Sequence, residues 1–276
     1  PQSPVPTPHS PSATPKKTLH PEASSSPGEM KGGDIEAGGD VEAGTAAPKG
    51  APYPGTTESP ELRWALIRKV YVVLCLQLLL TAVVAVVFVK VRSIPHFFAS
   101  SYVGLGLYIF ILIFPFIVMF PLHFYRQKHP VNLLLLGVFT VAISFSVGLT
   151  CAFTSGKVIL EAGILTIVVV LSLTAYTFWA ARRGKDFSFL GPFLFACLMI
   201  LLVFGFIQIF FPLGKLSHMI YGALAALIFI GYIVYDTGNI IKRYKYDEYV
   251  WAAVTLYLDI INLFLGLMTL FRAGDS

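Results

Sequence analysis

The chain has 276 residues, of which 56% are hydrophobic and only 13% charged, with a formal net charge of +5. Soluble globular proteins devote about a quarter of their residues to charge, so this composition excludes a water-soluble globule and, for the chain taken whole, intrinsic disorder. The charge is unevenly divided: residues 1–60 hold four Lys against seven Asp/Glu, or −3, and residues 61–276 hold 16 Lys/Arg against eight Asp/Glu, or +8.

Residues 1–60 contain 12 of the 18 prolines, no phenylalanine and no apolar period. Such a segment cannot bury enough surface to offset the entropy of ordering, and the composition predicts a disordered Pro/Ser/Thr-rich tail. Ser-Pro or Thr-Pro pairs begin at Ser3, Thr7, Ser10, Thr14, Ser26 and Ser59, and Pro1–Pro4 and Pro8–Pro11 have PxxP spacing. These are candidate sites for kinases and for SH3/WW-type partners; the plainer alternative is a solvated tail with no fixed partner.

From Val70 onward come seven long runs: Val70–Val89, Tyr102–Leu122, Val131–Phe153, Ala162–Ala181, Phe187–Leu213, Leu216–Tyr235 and Tyr249–Phe271. About 20 apolar residues at 1.5 Å rise cross a ~30 Å hydrocarbon core, whereas β-barrel strands are about half as long and alternate in character. The expected fold is therefore an all-α membrane protein, a seven-transmembrane-helix bundle over residues 61–276 behind the 1–60 tail. Pro115 and Pro121 in the second run and Pro192 in the fifth are candidate kink positions. Cys75, Cys151 and Cys197 all fall inside apolar runs, with no CxxC, and read as small apolar side chains.

Basic residues lie between the runs, a membrane pattern rather than a nucleic-acid one. One side carries 11 Lys/Arg, namely Arg63, Arg68, Lys69, Arg126, Lys128, Arg182, Arg183, Lys185, Lys242, Arg243 and Lys245. The other carries five: Lys90, Arg92, Lys157, Lys215 and Arg272. This asymmetry predicts a cytosolic N-terminus and tail and a non-cytosolic C-terminus. Loops are short, so function is expected within the bundle or on the tail.

Two acids stand where lipid should forbid them. Asp259 interrupts the seventh run, and Asp236 directly ends the sixth; Ile240 and Ile241 follow it, so that helix is expected to continue to Lys242. A carboxylate at a helix centre costs about 2.5–3.5 kcal/mol on insertion scales, which makes such a residue a functional candidate. The sixth span descends to the side from which the seventh returns, placing Asp236 about 9 Å and Asp259 about 16 Å deep at 1.5 Å per residue. Adjacent antiparallel helices would bring the two carboxyls into contact. Close together in low dielectric, they cannot both ionise cheaply and titrate as a coupled unit, a candidate pH sensor. Both ionised, they offer oxygens to a cation; Ca²⁺ wants six to eight, so two side chains make a weak, transient metal site suited to permeation. Arg126, at the end of the second span, is a candidate latch to Asp236, against the plainer reading of an interfacial anchor.

Glu161 reads as an N-terminal charge on the fourth span, and His123 and His129 as interfacial. No HExxH, nucleophile elbow or Walker loop occurs, so no enzyme and no cofactor is expected beyond Ca²⁺ as a permeating ion. A G-protein-coupled receptor would place its N-terminus outside. The serious rival to an ion pathway is a non-transporting membrane interaction or regulatory protein, acting through its tail and partner helices.

The stretches Tyr232–Thr237, Asp247–Ala253 and Leu256–Phe264 closely resemble the signature of the transmembrane Bax inhibitor-1 motif family. Arg68–Tyr71 with Gln77, Arg126–Pro130 with Asn132, and Lys185–Phe187 add to the likeness, which is strongest to the LIFEGUARD branch and runs from about Glu61 to the end. The resemblance implies a central last helix, a di-aspartyl pH sensor mapping to Asp236 and Asp259, and an arginine latch mapping to Arg126. It further implies Ca²⁺ leak from endomembranes (endoplasmic reticulum, Golgi or vacuole-type) rather than the plasma membrane, and suppression of cell death through cell-death regulators.

Overall fold

A computed structural model describes residues 59–275 apart from 92 and 212. The proline-rich tail expected over residues 1–60, with its docking and phosphorylation candidates, lies outside the described residues except for Ser59 and Pro60. All regular structure among the described residues is helical: α1 (Pro60–Lys90), α2 (Ser93–Ser100), α3 (Tyr102–Phe124), α4 (Val131–Ala152), α5 (Gly156–Arg182), α6 (Leu190–Phe210), α7 (Lys215–Lys242) and α8 (Tyr249–Asp275), with a 3₁₀ turn at Tyr246–Glu248 before α8. Seven of these are long and apolar enough to cross a membrane, one for each apolar run, so the chain is a seven-span helical membrane protein.

Several helices outrun the apolar stretches that announce them. Helix α1 starts ten residues ahead of Val70, with Pro60 in its first turn and Glu61 beside the positive helix end. Helix α5 starts at Gly156, which puts Glu161 in its second turn, opposite Lys157 at 4.0 Å, instead of at the cap. Pro192 is the third residue of α6, where its missing N–H has no intrahelical partner to lose, so it is no kink site. Pro115 and Pro121 lie inside α3, which runs through both.

Helix α2 is an addition that no apolar run signals. It connects to α3 through the single residue Ser101, whose hydroxyl accepts from Val103 N at 3.2 Å. The turn is tight enough that a side chain on Gly104 would strike the carbonyl of Phe97.

Helix α8 forms the centre. It packs on α1, α4, α5 and α7, while α3 leans on α4 and α6 on α7 at the outside. Of α6 only Leu194 and Leu201 are buried; Phe206, Ile209 and Phe210 face outward, as lipid-facing side chains do. The two helix ends marked by Arg63 and Tyr244 meet on one face of the bundle, called here the near face. Lys157 and Asp275, at the start of α5 and the end of α8, pair at 3.6 Å on the far face.

The α7–α8 hairpin is packed backbone against backbone. A Cβ on Gly222 would lie 2.6 Å from Leu270 N and 2.8 Å from the Gly266 carbonyl oxygen, and one on Gly266 would lie 3.0 Å from Ala226 N. Lipid gives helices no hydrophobic reason to associate, so close backbone approach through small residues is what membrane packing uses instead.

Candidate functional site

Helix α7 does continue to Lys242, carrying Asp236 below the near face and leaving it 8% exposed; Asp259 on α8 is 5% exposed. The glycine contact sets the two helices close enough that the two carboxyls come within hydrogen-bonding reach of each other. Asn239, one turn along α7, donates its Nδ2 to Asp236 Oδ1 at 3.4 Å. The Thr255 hydroxyl donates to the Ala252 carbonyl at 3.2 Å and stands near Asp236 and the Tyr244 phenol. Asp259 Oδ2 is buried with no donor from the described residues. Two carboxylate groups have no proton to give each other, so a hydrogen bond between them requires that the pair carry one. No Lys or Arg side chain pairs with either acid among the described residues.

A polar path leads from this pair to the near face. Tyr244, half-buried between α7 and the 3₁₀ turn, stands between Thr255 and Glu248. Burial, reinforced by the negative field of Asp236, pushes its phenol well above the ordinary range, so Tyr244 stays a neutral donor throughout physiological pH. At the mouth, Arg126 pairs with Glu248 at 3.6 Å, the side chains being 37% and 18% exposed. In this structure the guanidinium thus engages the acid that opens the last hairpin, and Asp236 lies deeper. Asn132, fully buried at the start of α4, donates to the Arg126 carbonyl at 3.1 Å and holds that corner. His129 stacks on Tyr249 and His123 meets Trp251 edge-on, both at the head of α8.

Two features near the site escape a sequence reading. Arg63 has the pattern of a flank charge, yet it is 1% exposed, and its Nη1 donates to the carbonyls of Tyr244 (2.6 Å) and Ile240 (3.4 Å). Ile240 lies in the last turn of α7, where carbonyls have no N–H of their own helix to accept from, and Tyr244 lies two residues past its end, so Arg63 caps the helix that carries Asp236. The second feature is a hydroxyl cluster on the opposite side of α8. Tyr257 meets Thr81 at 2.7 Å, Thr81 meets Ser144 at 3.0 Å, and Gln77 donates to Thr140 at 3.1 Å. All five are buried. The spacing Gln77/Thr81 and Thr140/Ser144, four residues apart on neighbouring spans, is the signal that marks them.

Among the described residues no group of three His, Cys, Asp or Glu gathers to hold a metal. What the site offers is a buried pair of carboxyls, a neutral phenol and a hydroxyl near it, and an ion pair at the near face. Seven spans, the last of them central, with such a pair on the α7–α8 hairpin, define a polytopic helical membrane protein with a buried di-acid. The family model described as "Inhibitor of apoptosis-promoting Bax1" matches residues 63–276. The chain is 69% identical to Protein LIFEGUARD 4 of Arabidopsis thaliana over 223 residues, covering 81% of this chain and 90% of the relative. It is 39% identical both to Protein lifeguard 4 of Mus musculus and to the Golgi anti-apoptotic protein of Vaccinia virus (strain Lister), in each case over 79% of this chain and 89% of the relative. The chain belongs to the Bax inhibitor-1 family, in its LIFEGUARD branch.

Proposed function

We propose that this protein is a pH-sensitive cation leak channel of intracellular membranes, passing Ca²⁺, with Asp236 and Asp259 as its proton sensor and as weak, transient ligands for the ion. The observation that carries the reading is the meeting of two buried carboxyls within hydrogen-bonding reach, neither paired to a basic side chain among the described residues. Such a pair has a protonated, hydrogen-bonded state and a doubly ionised state that needs water or a cation. Arg126 at the entrance is the candidate latch: its long side chain is held by Glu248 here, and release from Glu248 would free it to swing toward Asp236.

The basic residues, 11 against five, support a cytosolic near face and a cytosolic tail. The printed name of the viral relative, a Golgi anti-apoptotic protein, supports an endomembrane location and a role in restraining cell death.

The test is Ca²⁺ efflux from liposomes holding the purified full chain, followed between about pH 5 and 8. Efflux is expected with a titration that Asp236→Asn and Asp259→Asn abolish. Flux equal to that of empty liposomes at every pH would remove the channel reading and leave a non-transporting regulator acting through its tail and partner helices.

A further inference from the structure

Away from the di-acid, toward the far face, the bundle has a gap in its wall. Helices α1 and α5 both pack on α8 but not along each other, and between them runs a crevice of about 580 Å³ floored by Ile260, Ile261 and Phe264 of α8. Small residues open it among larger apolar ones: Ala82 and Ala85 line it from α1, and Gly156 and Gly163, seven residues apart on one face of α5, line it from the other side. A Cβ on either glycine would meet nothing within 4 Å.

Three properties define what fits. On α1 the lining extends from Leu78 to Lys90, 12 residues or roughly 18 Å, which is the depth of about one leaflet of a ~30 Å hydrocarbon core. The lining is almost wholly apolar, and its deepest hydroxyl, Thr81, is already engaged with Gln77, Ser144 and Tyr257. Water would find no partners there. At the outer end stands Lys90, in the last turn of α1, the one charged residue of the lining, which makes no ion pair among the described residues.

We propose that this crevice is a lipid site, seating one acyl chain of an anionic phospholipid whose headgroup phosphate pairs with the Lys90 ammonium. Hydrocarbon fills a dry slot open to the bilayer, and the basic residue at interfacial depth selects the headgroup. The chain lies against the flank of α8 opposite Asp259 and touches Thr81, so its presence or absence is felt by the helix that carries the acid.

The full chain in nanodiscs of phosphatidylcholine, doped with phosphatidylglycerol or phosphatidylcholine bearing a photoreactive acyl chain, tests this directly. Adducts mapped by mass spectrometry are expected on residues 78–90 and 156–171, about fivefold denser with phosphatidylglycerol, the ratio that one basic residue near a headgroup provides. Lys90→Gln should erase that ratio while adducts persist. Gly163→Phe, or Ala85→Phe should the first fail to fold, should bring crevice adducts down to the level of the exposed α6 face at Phe206 and Ile209. Crevice adducts no denser than those on α6, equal labelling by the two lipids, or labelling unchanged by a well-folded filling variant would each overturn the proposal.

Discussion

Gly222 and Gly266 bring the backbones of α7 and α8 into direct contact, with the place of a Gly222 Cβ lying 2.8 Å from the Gly266 carbonyl oxygen. Everything that the di-acid does depends on this crossing, because Asp236 and Asp259 sit on these two helices on the near-face side of it. Gly222→Leu must therefore spread the hairpin. A destabilisation of about 1–3 kcal/mol or more is expected, read as a fall in melting temperature in detergent. Gly163→Ala is the contrasting substitution: its Cβ enters open space, and alanine favours the helix by up to about 1 kcal/mol, so its melting temperature should hold or rise.

Arg63 should behave as a buried cap and not as an interfacial anchor. Arg63→Met removes hydrogen bonds from a charged donor to the Tyr244 and Ile240 carbonyls, each worth about 1.5–3 kcal/mol. The expected result is lower thermal stability together with faster amide exchange confined to residues 239–244 at the end of α7. An anchor would move neither. Arg63→Lys should rescue only in part, since a single ammonium lacks the planar fork.

The Arg126–Glu248 pair is partly exposed at the near face, so its contribution to stability is expected to stay within about 0–1 kcal/mol and to fade with salt. Its effect on flux should be larger than its effect on stability. Glu248→Gln frees Arg126, and efflux from liposomes should then titrate with a shifted midpoint while the melting temperature stays nearly unchanged. An unshifted midpoint would leave Arg126 as an anchor alone.

At the near face Asp186 ties the α5–α6 loop to the end of α7. It accepts from the Ser188 hydroxyl at 2.6 Å and the Ser188 amide at 3.2 Å, and faces Arg243 at 3.7 Å. The Ser188 hydroxyl first, then its amide and the charges of Arg243 and Lys242, hold this carboxyl below its ordinary 3.8. A lowered value in the folded state means the contribution is complete above the unfolded value and is lost as pH falls through the folded one. The tie should thus persist across physiological pH and fail only in strong acid, below about 4. Because the group lies largely in solvent the effect is small, and Asp186→Asn should show it as greater loop exchange at neutral pH with little change in melting temperature.

The spans and the two acids were legible because they rest on the strongest signals available to a sequence: long uncharged runs and carboxylates that break them. The end of α7 at Lys242 was legible too, from Ile240 and Ile241, but other helix ends were not, because a helix continues past the hydrocarbon once its residues are polar, as α1 does from Val70 back to Pro60. Arg63 was read with its neighbours Arg68 and Lys69, for nothing in composition separates a guanidinium at the interface from one turned inward onto carbonyls. The hydroxyl cluster left only the four-residue spacing of Gln77/Thr81 and Thr140/Ser144 as a trace, for a related reason. A serine or threonine in an apolar span can satisfy itself on its own helix, as Thr140 does on Leu136 and Ser144 on Thr140, and only tertiary structure shows that Thr81 also meets Tyr257. Helix α2, eight residues with Pro95 inside, is too short for any periodic signal.

The central position of α8 has a consequence for biosynthesis. It is the last of the seven spans to leave the ribosome, yet it is the one on which α1, α4, α5 and α7 all close. Until it inserts, the four helices that close on it lack their shared surface, and Thr81 and Ser144 wait without their tyrosine. The nascent protein therefore cannot mature span by span in the order of synthesis. Helix α8 acts as the keystone, and before Tyr249–Asp275 is in place the earlier spans lack the surface on which four of them close.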